Sequence, residues 1–389
     1  MKTVLQPQQT TIDCLKQLIS FDTTSRNSNL ALIDWTKSYL ENLGASIRLD
    51  FNKERNKANL IATFGEGPGG IVLSGHTDVV PVDGQLWSSD PFCAEIRGEK
   101  LYGRGSVDMK GFISVVLGSA RMMATSSLKT PIHIALTYDE EAGCLGIPGL
   151  LKDLATAGIK PTGCIVGEPT EMKMVAAHKG GRIYRCQVHG KSAHSSLTPH
   201  GVNAIEYAAR IITFIQDLAW REEEHGLKID GFDVPFSTLS TNIISGGSGK
   251  NIIPADCEFF FEYRYLPGVQ AGSFMESIGR YVAEQVEPRM KKNDPEAHVS
   301  FECVGEIPAL EAKENEEIFQ LVQSLLRPHQ PGKVAYGTEA SFFQEVGVPS
   351  VVCGPGRINE AHKPDEFVSL EQLYQCERFI QNLILKMGN

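Results

Sequence analysis

The 389-residue sequence has no C-x-x-C pair, no apolar run approaching the ~18 residues of a membrane span, and fewer positive than negative charges. Its nine cysteines, at positions 14, 93, 144, 164, 186, 257, 303, 353 and 376, are scattered along the chain. That spacing excludes a zinc finger and a dense disulfide scaffold. The odd count suits free thiols in a reducing compartment. Lys2, Gln6, Gln8, Asp13 and Lys16 interrupt the apolar residues near the start, so the h-region of a signal peptide is missing and a cytoplasmic protein is expected. Lys and Arg total 37 against 47 Asp and Glu, a formal charge of −10 that argues against nucleic acid or an anionic membrane as partner. What is present is ordinary: 42% hydrophobic and 22% charged residues exclude collagenous, coiled-coil and disordered readings. The length gives room for about two or three domains.

Up to about residue 181, helical and strand patterns alternate. Thr11 to Ile19 and Leu30 to Leu43 have helical spacing. Leu60 to Phe64, Ile71 to Leu73, Ile132 to Thr137 and Cys164 to Val166 are short apolar runs bounded by turn residues. Gly111 to Met123 reads as a buried helix. This alternation predicts an α/β domain with a mostly parallel sheet covered on both faces. From Arg182 the order becomes strand (Ile183 to Val188), helix (Val202 to Arg221), strand (Ser237 to Ile244), strand (Cys257 to Tyr265), helix (Ser273 to Val286) and strand (Val299 to Val304). That is the ferredoxin-like β-α-β-β-α-β order. The first style then returns, with a helix from Glu314 to Leu326, a strand from Ser350 to Cys353 and a last helix near Leu370 to Met387. Residues 182–304 are therefore expected to be inserted into a discontinuous domain of 1–181 and 305–389.

Two glycine-rich segments imitate nucleotide loops and fail on context. Gly65 to Gly70 spells G-x-G-x-x-G, but a strand follows where a helix is required. Ser245 to Lys250 has the wrong glycine spacing for a phosphate loop, and Asn251 follows the lysine. Both read as turns. Glu222 to His225 reads as a solvated helix end.

In a parallel sheet, ligands bind beyond the carboxyl ends of the strands. Ile71-Val72-Leu73 leads into His76-Thr77-Asp78, Ile132 to Thr137 into Asp139-Glu140-Glu141, Ile165-Val166 into Glu168-Pro169, and Ser350 to Cys353 through Gly354-Pro355-Gly356 to His362. Asp108 precedes the buried helix. Taken singly, each has a plainer reading, such as a turn cap or a helix N-cap. Together they offer two imidazoles and three carboxylates without a cysteine, a set that suits zinc or a similar divalent ion. If one carboxylate bridges, five residues supply six bonds to two ions. A fourth carboxylate then remains as a base, and Glu140 and Glu141 divide naturally into a base and a ligand.

His76-Thr77-Asp78 with Pro81, Gly105-x-x-Asp108-Met109-Lys110-Gly111, Asp139-Glu140-Glu141, Gly167-Glu168-Pro169-Thr170 and the His362 segment resemble the di-zinc family of aminoacylases, glutamate carboxypeptidases, succinyl-diaminopimelate desuccinylases and acetylornithine deacetylases. The resemblance runs from about residue 10 to the C-terminus. It implies a zinc-peptidase-like catalytic domain with an inserted lid and dimerisation domain. It further implies that His76, Asp108 and Glu168 hold one ion, that Asp108, Glu141 and His362 hold the other, and that Asp78 orients His76. Zinc is the first expectation for the metal and cobalt the second.

Trp87-x-x-Asp90-Pro91-Phe92, His178-Lys179-Gly180, Gly201 to Glu206, Thr338-Glu339-Ala340 and Gly354 to His362 resemble the acetylornithine deacetylase branch most. The implied reaction is hydrolysis of N-acetyl-L-ornithine, a step of arginine biosynthesis, with Glu140 as general base on a metal-bridging water. The alternative is another N-acyl amino acid hydrolase or a dipeptidase. By the same resemblance His194 reaches a neighbouring subunit's site in a homodimer formed through the inserted domain. Arg264 would hold the substrate carboxylate, Asn251 and Thr338 would touch substrate, and Glu339 suits a substrate ammonium.

Overall fold

The computed structural model describes residues 5–388. The outermost residues of the expected domain limits and of the expected leaderless start, 1–4 and 389, lie outside that range. The described chain forms two compact units. One holds the residues up to Ala177 together with Leu310–Gly332 and the chain from Thr338 onward, and the other holds His178–Ala309 with Lys333–Gly337.

The first unit is built on a sheet in which Ile71–His76 lies parallel to Ile132–Thr137 on one side and to Gly163–Val166 on the other. Ser350–Val352 continues the parallel arrangement beyond Gly163–Val166. Antiparallel strands flank this centre: Ala58–Phe64 pairs with Ile132–Thr137, and Ser46–Phe51 pairs with Ala58–Phe64. Every residue of Ile71–His76 and of Ile132–Thr137 is buried, which is why their sequences are mostly apolar and small on both faces rather than alternating with exposed polar residues. The expected buried helix is Lys110–Gly118, followed by the short Ala120–Thr125. Its residues Lys110 to Leu117 are all buried, inside a core shared with the helices Gln9–Ile19 and Leu370–Gly388. The glycine-rich segment 65–70 is a turn between strands, with Gly65, Gly67, Gly69 and Gly70 all at positive φ.

In the second unit four antiparallel strands lie in the order Thr238–Gly246, Asp256–Tyr265, Gly180–His189, His298–Ile307. Asp256–Tyr265 alternates strictly, with Cys257, Phe259, Phe261, Tyr263 and Tyr265 buried. Period two thus points one aromatic face at the helices. The helix Ala204–His225 answers with Ala204, Ala208, Ile211, Ile215 and Leu218, a stripe at spacings of three and four. Asn203 caps its start: Oδ1 accepts from Glu206 N at 3.3 Å, and Nδ2 donates to Glu206 Oε1 at 3.0 Å.

All nine cysteines are unbridged, seven of them buried. No helix among the described residues is long and apolar enough to cross a membrane.

Candidate metal centre

Strand ends of the first unit deliver the polar residues. His76 is the last residue of its strand, Glu140 and Glu141 lie just past Ile132–Thr137, Glu168 lies just past Gly163–Val166, and His362 follows Ser350–Val352 after a short 3-10 turn. Parallel strands bring their carboxyl ends to one edge, so residues far apart in sequence meet there. Asp108 enters from the loop before Lys110–Gly118, and the Asp108–Met109 peptide is cis. Gly167 allows this helix to come close: a Cβ there would sit 1.9 Å from the Phe112 ring.

His76 Nε2 lies 3.0 Å from Asp108 Oδ1 and 3.6 Å from Glu168 Oε1. His362 Nε2 lies 3.1 Å from Asp108 Oδ2 and 3.0 Å from Glu141 Oε1. The two oxygens of Asp108 therefore face different imidazoles, and two three-residue donor groups share this one carboxylate. Donors at about 2.0–2.2 Å around a tetrahedral ion stand roughly 3.4 Å from one another. The observed separations match that edge length. With imidazole and carboxylate donors and no thiolate, the set fits two divalent ions.

The electrostatics of the cluster point the same way. Burial disfavours a charged His76, yet its contacts with Asp108, Asp78 and Glu168 raise the imidazole well above its ordinary range. Asp108 and Glu141 push His362 up to about 10. Burial would raise Asp108, but the two imidazoles hold it well below the usual carboxylate range. Burial raises Glu168 and Glu140, and the surrounding carboxylates add to the effect.

Around this cluster Asp78 does more than face His76. Its carboxylate is 3.5 Å from His76 Nδ1, while the same nitrogen lies 3.0 Å from the Asp78 backbone oxygen. Asp78 also accepts from the backbone N–H of Glu140 at 3.0 Å and of Glu141 at 3.2 Å, and from Ser25 Oγ at 2.7 Å. The backbone oxygen of Asp78 thus meets the imidazole, while its buried carboxylate fixes the loop of the adjacent acids. The loop begins at Asp139, whose φ is 55° and whose carboxylate pairs with the buried Lys57. Neither Lys57 nor Ser25 carried a sequence signal: Lys57 is 82 residues from its partner.

Glu339 is buried in the first unit. Its Oε2 accepts from Thr137 Oγ1 at 2.9 Å, and its Oε1 has no hydrogen-bond partner among the described residues. Thr338, also buried, accepts from Ala340 N through Oγ1 at 3.2 Å. The other three candidates belong to the second unit. Ser195 N, next to His194, donates to Asn251 O at 3.0 Å, so His194 and Asn251 are neighbours at one end of the two-stranded ribbon Ala193–His194 and Ile252–Ile253. Arg264 sits at the end of Asp256–Tyr265 with Nε 2.5 Å from Glu262 Oε1, over the bare backbone of Gly181.

The sequence profile of Peptidase family M20/M25/M40 matches residues 72–386. The chain belongs to this family. Metal-dependent amide hydrolysis is the activity this membership brings. Acetylornithine deacetylase of Photorhabdus laumondii is 35% identical over 380 residues, and that of Proteus mirabilis 36% over 383, each match covering 96% of both chains. A tripeptidase from Staphylococcus aureus is 18% identical with a TM-score of 0.76 over 99% of both chains. The M20 family metallo-carboxypeptidase of Sulfolobus solfataricus is 15% identical with a TM-score of 0.75, covering 98% of this chain and 100% of that one. These two structures share the fold.

Proposed function

We propose that this M20 family chain hydrolyses N-acetyl-L-ornithine to L-ornithine and acetate. The observation that carries the reading is the pair of donor groups sharing Asp108, with Glu140 on the loop beside them. In this reading His76, Asp108 and Glu168 hold one divalent ion and Asp108, Glu141 and His362 the other, zinc first and cobalt second. Such ions, when bound, supply Lewis acidity and lower the pKa of water. Glu140 takes a proton from the attacking water and gives it to the departing amine nitrogen as the amide C–N bond breaks. Burial raises the Glu140 carboxyl above its ordinary range, which suits a group that must both accept and return a proton near neutral pH.

Sequence identity of about 35% with bacterial acetylornithine deacetylases over nearly the whole chain supports the choice of substrate. Arg264 would pair with the α-carboxylate, Glu339 with the side-chain ammonium, and Asn251 and Thr338 would complete the contacts. The unit around residues 182–304 would serve as lid and homodimer contact, with His194 acting across the dimer. Arginine biosynthesis in the cytoplasm is the setting this implies. Zinc- or cobalt-loaded protein should cleave N-acetylornithine with higher kcat/KM than N-succinyl-diaminopimelate, N-acetylmethionine or a dipeptide. A preference for any of the other three would reassign the substrate within the family.

A further inference from the structure

The two imidazoles of the centre are held very differently. His76 is 1% exposed and walled in by Asp78 and Asp108, whereas the side chain of His362 is 50% exposed and its backbone sits at φ 63°. A half-exposed side chain on a left-handed residue has little packing to fix it, so its direction depends on what anchors its backbone.

That anchor is Gln85, whose Nε2 donates to His362 O at 2.9 Å. The Gln85 side chain is fixed in turn: its Oε1 accepts from Arg104 Nη2 at 2.6 Å and from Trp87 Nε1 at 3.1 Å. The other arm of the Arg104 guanidinium, Nη1, donates to Glu366 Oε2 at 2.6 Å and to Lys363 O at 3.3 Å. Glu366 Oε1 then accepts from Val107 N at 2.9 Å and from Asp108 N at 3.2 Å. Arg104 therefore stands between the loop that carries His362 and the backbone of the carboxylate shared by both donor groups. Arg104 and Glu366 are each 1% exposed. A buried ion pair adds little or nothing to stability over apolar residues of the same volume, so its geometry is what distinguishes it. Only a planar fork with donors on both arms reaches Gln85 and Glu366 at once, which lysine cannot do.

We propose that Arg104, acting through Gln85 and Glu366, is a positioning residue that sets His362 against Asp108 and so builds the second ion's donor group. The inference rests on the two-ion reading above and concerns the His362 group alone. Residues behind a metal ligand typically change ion affinity by about 10- to 100-fold.

The test is zinc titration of the metal-free full chain by calorimetry, with the thermal midpoint of the metal-free protein measured in parallel. Wild-type protein should take up two ions. Gln85→Ala and the volume-conserving Gln85→Met should weaken one of the two about tenfold or more, leaving the other ion and the metal-free midpoint unchanged. Arg104→Lys should weaken that same ion as well, and if it does not fold the Gln85 pair still decides. In a His362→Ala background, adding Gln85→Ala should change nothing further, because the contact it removes already serves no ligand. Two ions bound as tightly by both Gln85 variants as by wild type would overturn the proposal. So would weakening of both ions together with a lowered metal-free midpoint, since that marks a general structural role. Wild-type protein binding a single ion would overturn the two-ion reading before any variant is compared.

Discussion

The two units bury opposite kinds of material. The first encloses Asp78, Arg104, Asp108, Lys110, Glu168, Glu339, Glu366 and Glu377, whereas among the described residues of the second Lys179 and His178 are the buried groups that can carry charge. The second unit instead packs aromatic rings together, with Tyr184 stacked on Phe261 at 5.5 Å and Tyr263 tilted against Phe274 at 5.0 Å. Burying a charge without a partner costs several kcal/mol, while burying a ring is favourable by about 2–3 kcal/mol. A unit built for stability alone has the second composition. In the first, Asp78, Asp108 and Glu168 meet at one strand edge, whereas Lys110 and Glu377 are met by polar partners elsewhere, Phe21 O and Thr11 Oγ1.

The comparison breaks most sharply at Glu140. If the acids gathered at the strand edge of the first unit act in catalysis, Glu140→Ala should lower kcat by about 10²- to 10⁴-fold while both ions stay bound. Near-normal turnover by the metal-loaded variant would remove Glu140 from its role. The matching change in the second unit is Phe261→Ala, at a fully buried ring, which should destabilise the fold by about 3–5 kcal/mol. Denaturation should show that loss with ion binding unaltered, and weakened ion binding would contradict the division between the units.

Protons offer a milder test. The contacts with Asp108 and Glu141 push His362 up to about 10, so at pH 7 an incoming ion would displace its proton. Zinc affinity should therefore rise with pH up to about 10, by roughly tenfold per unit for each proton displaced. Calorimetry in buffers of different ionisation enthalpy would count those protons, and a pH-independent affinity would mean that the imidazoles are not the groups displaced.

Legibility in the sequence followed locality. His76, Glu140, Glu141 and Glu168 stand within a few residues of apolar runs that could only be buried strands, so their placement at one sheet edge could be read beforehand. The run Ile71 to Leu73 nevertheless understates its strand, which extends through Ser74 and Gly75 to His76 because these small residues are buried in the same ladder. The groups that hold the ligands were silent. Arg104 meets Glu366 across 262 residues, and Ser25 meets Asp78 across 53, pairings that leave no periodic trace. The ribbon beside His194 was equally hidden, being two residues long on each side.

Glu339 gives the finest test, because it belongs to the charged interior yet holds none of the proposed ions. Burial raises its carboxyl to about 7, and Oε1 has no hydrogen-bond partner among the described residues. With the folded value above the ordinary 4.5, the native state holds the proton more tightly than the unfolded chain, so this residue lowers stability progressively as pH rises from about 4.5 to 7. Metal-free Glu339→Gln should therefore melt above wild type at pH 8, and the difference should close near pH 4.5. On catalysis the same variant separates two roles. If the carboxylate pairs with the ammonium of N-acetylornithine, losing one charge-assisted hydrogen bond costs roughly 1.5–3 kcal/mol, about tenfold to a hundredfold in kcat/KM. An N-acetyl amino acid with a neutral side chain should then lose far less. Equal losses on both substrates would place Glu339 with Thr137 as a support beneath the centre, and the preference for ornithine would have to come from another residue.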